Sequence, residues 1–286
     1  MPSFAVSIAV LSLFQAALVA LPRARAPFGW MPRSPWWALV PAASILIVVF
    51  GIEADPGSAD LLTWLALVAV PPLAAGALGW LLHGSRPWWA LLALPLFAVA
   101  WGAQSSLAGE TAASLLSGLS CVALGWLLVS VVPARWLRWG IYAMAAIDAV
   151  LIGAELLQAP SALLSAADPG GLPRLQVLEF GTARMGFGDA FVAATAGCLL
   201  AIPVDGLQTD PYQGFQARRQ LLAAGLVAVL GLGFDLLFFA LDTLPATVPI
   251  ALALALISRW GSVGVADEGH GVDRHETGDG QRDAPP

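Results

Sequence analysis

Residues 221–234 read Leu-Leu-Ala-Ala-Gly-Leu-Val-Ala-Val-Leu-Gly-Leu-Gly-Phe, a run that is apolar at every position. A membrane β-barrel strand would alternate apolar and polar residues, so this run excludes a barrel and indicates a helix. Of the 286 residues, 58% are hydrophobic and 11% are charged, which is too apolar for a soluble globular domain. Lipid cannot satisfy backbone N–H and C=O groups, so spanning segments must be helical. The sequence therefore predicts an all-α polytopic membrane protein.

Nine segments are apolar enough to be spans, since a bilayer core needs roughly 20 apolar residues per helix. We expect them at residues 4–21, 36–52, 61–82, 87–103, 111–132, 136–158, 187–204, 219–241 and 243–260. They form one domain over residues 1–260, with helices 1–5 in residues 1–132 and helices 6–9 in residues 136–260. Residues 261–286 have too little apolar content to fold and are expected to be a disordered soluble tail.

The basic residues predict the orientation. All 13 are arginine, and only Arg174 and Arg184 lie between the sixth and seventh spans. The other eleven lie beside connections that follow odd-numbered spans or at the C-terminus: Arg23, Arg25, Arg33, Arg86, Arg135, Arg138, Arg218, Arg219, Arg259, Arg274 and Arg282. The positive-inside rule then places the N-terminus outside and the C-terminus in the cytoplasm.

Four acidic residues fall at or near membrane depth, where an ionisable side chain is costly and suggests a function. Asp148 lies in the middle of the sixth span, and Asp189 opens the seventh in Gly-Phe-Gly-Asp, residues 186–189. Glu155 is near a span end, where we expect it to reach interfacial water. For Asp235, in the eighth span, we expect a structural role.

The glycines at 186 and 188 leave the backbone beside Asp189 without side-chain bulk, so a neighbouring helix or an extended peptide can come close. If Asp148 faces Asp189 there, the two carboxyl groups share a proton, because ionising both is costly. The ionised member can deprotonate water while the protonated member donates to a carbonyl, as in aspartic proteases. The alternatives are a proton or cation relay, or a buried structural hydrogen bond.

An aspartate in the sixth span, a Gly-x-Gly-Asp opening the seventh and Pro245-Ala246-Thr247 at the ninth together resemble the presenilin and signal peptide peptidase family of intramembrane aspartyl proteases. The resemblance covers about residues 136–260 and includes the count of nine helices. Ile147 stands where that family has a tyrosine, and one extra residue precedes Pro249. By this resemblance the catalytic residues are Asp148 and Asp189, and the residues that shape the site are Gly186, Phe187, Gly188, Pro245, Ala246 and Thr247.

The resemblance implies hydrolysis of transmembrane helices or remnant signal peptides by a homologue of prokaryotic type in the cytoplasmic membrane. The outward N-terminus is similar to the signal peptide peptidase branch and favours type II segments as substrates. We expect no cofactor and no metal, and no basic cluster suggests nucleic acid. The expected partners are transmembrane peptides and the lipid bilayer.

Residues 172–180, Leu-Pro-Arg-Leu-Gln-Val-Leu-Glu-Phe, alternate imperfectly and indicate a short strand or an interfacial segment. With the turn at Pro245, this segment is a candidate docking edge for substrate.

Two rival functions stay open. A prepilin-peptidase-like enzyme shares the Gly-x-Gly-Asp, but its usual N-terminal cysteine pairs are missing here. A proton-coupled transporter could use the same aspartates, and inverted repeats, which would favour it, are not seen.

Overall fold

The computed structural model describes residues 2–23, 32–55, 57–154, 163, 170–202, 210–236 and 246–268. Within these ranges the chain is mostly helical, and each predicted span overlaps one helix. The elements are α1 (Phe4–Ala20), α2 (Val40–Ala54), α3 (Ser58–Gly76), α4 (Ala93–Gly102), α5 (Leu107–Val131), α6 (Ala134–Gly153), β1 (Val177–Phe180), β2 (Ala183–Gly186), α7 (Phe187–Ala201), α8 (Asp210–Asp235) and α9 (Val248–Glu268). Short 3₁₀ segments lead into α2 and α4, and a π-helical turn at Ala77–Leu81 extends α3.

Four helical stretches of the described chain are long and apolar enough to cross a membrane: Ser58–Leu81, Leu107–Val131, Ala134–Gly153 and Gln216–Asp235. Helix α7 ends at Ala201, three residues before the predicted end of its span, because Ile202 precedes Pro203 and is extended. The helical, membrane-type class is thus supported, whereas the count of nine spans stays a prediction.

Helix α5 lies at the centre of the bundle. In its most apolar window 78% of the residues are buried, against 22–33% in the other three long stretches. It packs against α3, α4 and α7, while α1 packs against α7 and α8. The remaining long stretches therefore expose apolar side chains such as Leu61, Val68 and Val229, which suits lipid surroundings.

Two glycines let backbones touch in this core. A Cβ placed on Gly197 of α7 would lie 2.5 Å from the carbonyl oxygen of Val19 in α1. A Cβ on Gly125 of α5 would lie 3.1 Å from Cα of Thr195 in α7. Small residues at such positions allow close helix packing, so α1, α7 and α5 form a tight layered core.

A β-hairpin directly precedes α7. Of its two strands, only the first lies within residues 172–180, the segment predicted to be extended. Strands β1 and β2 are antiparallel, with Glu179 opposite Arg184. The turn begins at Gly181, whose φ of +61° favours glycine. The sequence did not predict β2, because Ala183–Gly186 is too short and too mixed to show a strand pattern.

Polar side chains on α5 hold β1. Ser114 Oγ donates to the carbonyl of Glu179 and accepts from its N–H, both at 2.9 Å. Ser117 Oγ donates to the Leu175 carbonyl at 2.8 Å, and the Gly181 N–H donates to Glu110 at 2.7 Å. These α5 residues share one face, at i, i+4 and i+7, so the outer edge of β1 is covered by the central helix.

Hydrogen bonds show which helix ends lie at each end of the bundle. The His83 N–H donates to the Leu21 carbonyl at 3.1 Å, and the Ser34 N–H donates to the Val131 carbonyl at 2.8 Å. The ends of α1, α3 and α5 therefore lie at one end of the bundle. The hairpin lies at the other, where the Thr182 N–H donates to Ser7 Oγ near the start of α1.

The last helix is longer than predicted. We expected the ninth span to end at residue 260 and the tail to be disordered from 261, but α9 continues to Glu268. Extending an existing helix avoids the cost of nucleation, so polar residues can prolong it. Residues 269–286, together with Glu155 and Pro245, lie outside the described residues.

The close approach of α7 to α1 gives a stability prediction. Gly197→Ala should lower the free energy of unfolding in detergent by about 1–3 kcal/mol, because its Cβ would overlap backbone rather than a flexible side chain. Gly188→Ala is the matched control, since nothing lies within 4 Å of its added Cβ. Equal stability of the two variants would contradict the tight packing.

Candidate active site

Asp148 lies in the last third of α6 and is held by a residue from a distant part of the chain. Thr247 Oγ1 donates a hydrogen bond to Asp148 Oδ2 at 2.6 Å. Thr247 is only 2% exposed and lies immediately before α9. A carboxyl group among apolar helices needs such a partner, because an unpaired buried polar group is costly. Asp148, predicted to be catalytic, and Thr247, predicted to shape the site, are therefore in contact.

Asp189 lies in the first turn of α7, directly after the hairpin. Gly186 is the N-cap of this helix, and Asp189 is its third helical residue. The Asp189 side chain folds back towards the cap, so that a Cβ on Gly186 would lie 3.2 Å from Asp189 Oδ2. An acidic side chain at this position can reach back to the N-cap N–H. The Gly-x-Gly-Asp spacing is thus a local helix-start geometry that fixes the Asp189 carboxyl.

The two aspartates approach each other. Helices α6, α7 and α9 pack against one another at this point. The carboxyl group of Asp148 lies close enough to that of Asp189 for their charges to interact. Two carboxyls whose charges interact do not both ionise readily, because ionising one makes ionising the other more costly. The arrangement can therefore supply an acid and a base on one reacting group.

The site lies away from the hairpin end of the bundle, and both aspartates are partly exposed. Gln15, whose side-chain amide contacts the Asp189 carbonyl at 3.5 Å, lies eight residues after Ser7 on α1. Because a helix rises 1.5 Å per residue, this places Asp189 about 12 Å from the level of Ser7 and the hairpin turn. Any reaction at the aspartates would occur at that depth.

Gln15 is a site residue that the sequence did not reveal. It is 3% exposed, and its Nε2 also donates to the carbonyl of Ala246 at 3.1 Å. A carboxamide buried in an apolar helix was the available signal, and Ser7 and Ser12 add to it as polar residues on the same helix. No short motif contains these residues and none of them is an acid, so the sequence did not mark them as site residues.

Asp235 has a partner on α1 and not in the aspartate pair. Ser12 Oγ donates to Asp235 Oδ2 at 2.8 Å, joining the end of α8 to α1. A Cβ on Gly231, one turn earlier in α8, would lie 3.4 Å from Ser12 Cβ, so the two helices are in contact there. This hydrogen bond agrees with the structural role expected for Asp235.

The other residues predicted to shape the site differ in their contacts. The Phe187 carbonyl accepts from Cys121 Sγ at 3.8 Å, which ties the start of α7 to α5. Gly188 faces open space, since no atom lies within 4 Å of its added Cβ. The Ala246 carbonyl is engaged by Gln15. In the described chain no group of three His, Cys, Asp or Glu side chains could hold a metal ion.

Comparison with known proteins gives no relative for this chain. No protein-family model, no curated protein and no solved structure matches it. The resemblance to the presenilin and signal peptide peptidase family stays a prediction from the residues named above.

The contact between Thr247 and Asp148 can be measured by a double-mutant cycle. Thr247→Val and Asp148→Ala should each destabilise the protein, and the double variant should lose less than their sum by about 1–3 kcal/mol. Unfolding in detergent, followed by circular dichroism, gives these free energies. Strictly additive losses would show that the two side chains do not interact.

Proposed function

We propose that this chain is an intramembrane aspartyl endopeptidase of the Gly-x-Gly-Asp type. The observation that carries the proposal is the meeting of Asp148, Asp189 and Thr247 inside a bundle of apolar helices. A structural hydrogen bond would need only one acid and one donor. A second acid at the same point, beside open space at Gly188, supports catalysis instead.

The chemistry requires one ionised and one protonated carboxyl. The ionised aspartate takes a proton from water, and the water oxygen attacks the carbonyl carbon of the peptide bond. The protonated aspartate donates its proton to the carbonyl oxygen, which gives a tetrahedral diol. Proton transfer to the amide nitrogen then breaks the C–N bond and yields a carboxylic acid and an amine. Of the two Asp148 oxygens, Thr247 engages Oδ2, so Oδ1 is assigned to the water.

A substrate helix must unwind before cleavage, because helical carbonyls are shielded by their own hydrogen bonds. We predicted residues 172–180 as a docking edge, but β1 pairs with β2 on one side and with Ser114 on the other. Since Glu179 turns its backbone groups towards α5, its partner Arg184 turns its own N–H and C=O away from β1. The edge offered to an unwound peptide is therefore β2, which leads directly into Asp189.

The arrangement of arginines supports an orientation for the proposed enzyme. Arg23 lies at the end of the bundle where the Leu21 and His83 backbones meet, and Arg184 lies in the hairpin at the other end. The arginine-rich end is assigned to the cytoplasm and the hairpin to the outside. Type II segments or remnant signal peptides are then the proposed substrates.

Cleavage of a model type II transmembrane peptide by the purified protein in detergent tests the function. Asp148→Asn and Asp189→Asn should each abolish cleavage, because an amide can neither accept nor release the catalytic proton. Asp235→Asn is the matched control, since it can still accept from Ser12 and should keep most activity.

The pH dependence of the same reaction should be bell-shaped, because activity needs one ionised and one protonated carboxyl. Cleavage that persists in both catalytic-site variants would refute the proposal. Proton uptake into vesicles without any cleavage would favour the transporter instead.

The β2 edge can be tested with a substitution that removes one outward N–H. Arg184→Pro should raise KM for the peptide about tenfold, since proline cannot donate to an added strand. Arg184→Ala keeps the N–H and removes only the ion pair of Arg184 with Glu179, so it should bind substrate nearly as the parent does. An equal KM for the two variants would exclude docking at β2.

A further inference from the structure

Helix α1 touches both ends of the connection between α8 and α9. At its start, Ser12 donates to Asp235, the last residue of α8. At its end, Gln15 donates to the Ala246 carbonyl, one residue before Thr247. Ser12 and Gln15 are three residues apart, so they lie on neighbouring turns of the same side of α1. The segment that delivers Thr247 is therefore bracketed by two hydrogen bonds from one helix.

Gln15 also contacts the backbone of Asp189, the second aspartate of the site. Its Nε2 lies 3.5 Å from the Asp189 carbonyl and 3.1 Å from the Ala246 carbonyl. A carboxamide has two N–H donors, so one group can serve both carbonyls at once. The backbones that carry Asp189 and Thr247 are thus held at a fixed spacing by a single side chain.

We infer that Gln15 is a positioning residue: it clamps the backbone of Ala246 against that of Asp189 and thereby sets the contact between Thr247 and Asp148. Gln15 touches neither carboxyl group of the pair through a hydrogen bond in the described chain. Its effect on the site passes through the two backbones. Its catalytic consequence rests on the proposed function, whereas its geometric consequence does not.

The chain contains a matched control for this clamp. Gln220 of α8 is also 3% exposed, and its Nε2 donates to the carbonyls of Val19 and Pro22, both at 2.9 Å. Gln220 therefore donates to two backbone carbonyls at the end of α1, as Gln15 donates to two backbone carbonyls, but it lies at the opposite end of the bundle from the aspartates. Gln15→Met and Gln220→Met each replace a buried carboxamide with an apolar side chain of similar volume, and they should lower stability alike.

The geometric test is disulfide cross-linking in the full-length protein in detergent. Asp148→Cys and Thr247→Cys are combined in a background carrying Cys121→Ala and Cys198→Ala, and the rate of bond formation under mild oxidation is measured. Because the two side chains are in contact, the parent should cross-link readily. Gln15→Met should slow the reaction at least about fivefold, since small misplacements strongly reduce reactivity. Gln220→Met should keep the parent rate.

The catalytic test uses the same pair of substitutions in the native site. Gln15→Met should lower kcat about tenfold with little change in KM, whereas Gln220→Met should lower neither. If Gln15→Met does not fold, Gln15→Glu keeps the shape, turns acceptor oxygens towards the two carbonyls and should give the same slow cross-linking. Equal cross-linking rates for the Gln15 and Gln220 variants would overturn the inference. If the double-cysteine protein cross-links as expected but the wild-type protein cleaves no peptide, the proposed function is overturned and the clamp stands.

Discussion

The structure depends on one constraint: a polar group among apolar helices must find a partner inside the protein. Thr247 and Gln15 follow this rule by bonding to residues far away in sequence. Thr247 pairs with Asp148 across 99 residues, and Gln15 pairs with Ala246 across 231. Apolar burial alone would let the helices slide or rotate, whereas these bonds set one arrangement. The site is formed by the same contacts that fix the register of the bundle.

The helical class and the rough helix positions could be predicted from the sequence because apolar composition and length are local properties. Span ends were less predictable, since they depend on prolines such as Pro203 and on helix propagation beyond residue 260. Strand β2 had no local signal. It forms because β1 is anchored to Ser114 of α5 and offers an edge, which is a tertiary effect.

The two acids and the glycines beside Asp189 could be found in the sequence because ionisable residues stand out in apolar spans. Their approach could be inferred only from the glycines beside Asp189 and from a resemblance, since it depends on the packing of α6, α7 and α9. The role of Gln15 could not be predicted from the sequence, because a lone carboxamide carries no motif. Its role depends on which carbonyls face it, and those lie 174 and 231 residues further along the chain.

That separation has a consequence for biosynthesis. When α1 leaves the ribosome, the partners of Ser12 and Gln15 have not yet been translated, because each lies more than 170 residues downstream. Until those partners are synthesised, the side chains of Ser12 and Gln15 in the nascent helix can form hydrogen bonds only with water or with the insertion machinery. The long-range contacts of Ser12 and Gln15 form when the C-terminal segment has been synthesised. A truncated or stalled polypeptide would lack Thr247, so an unfinished copy would carry no assembled acid pair.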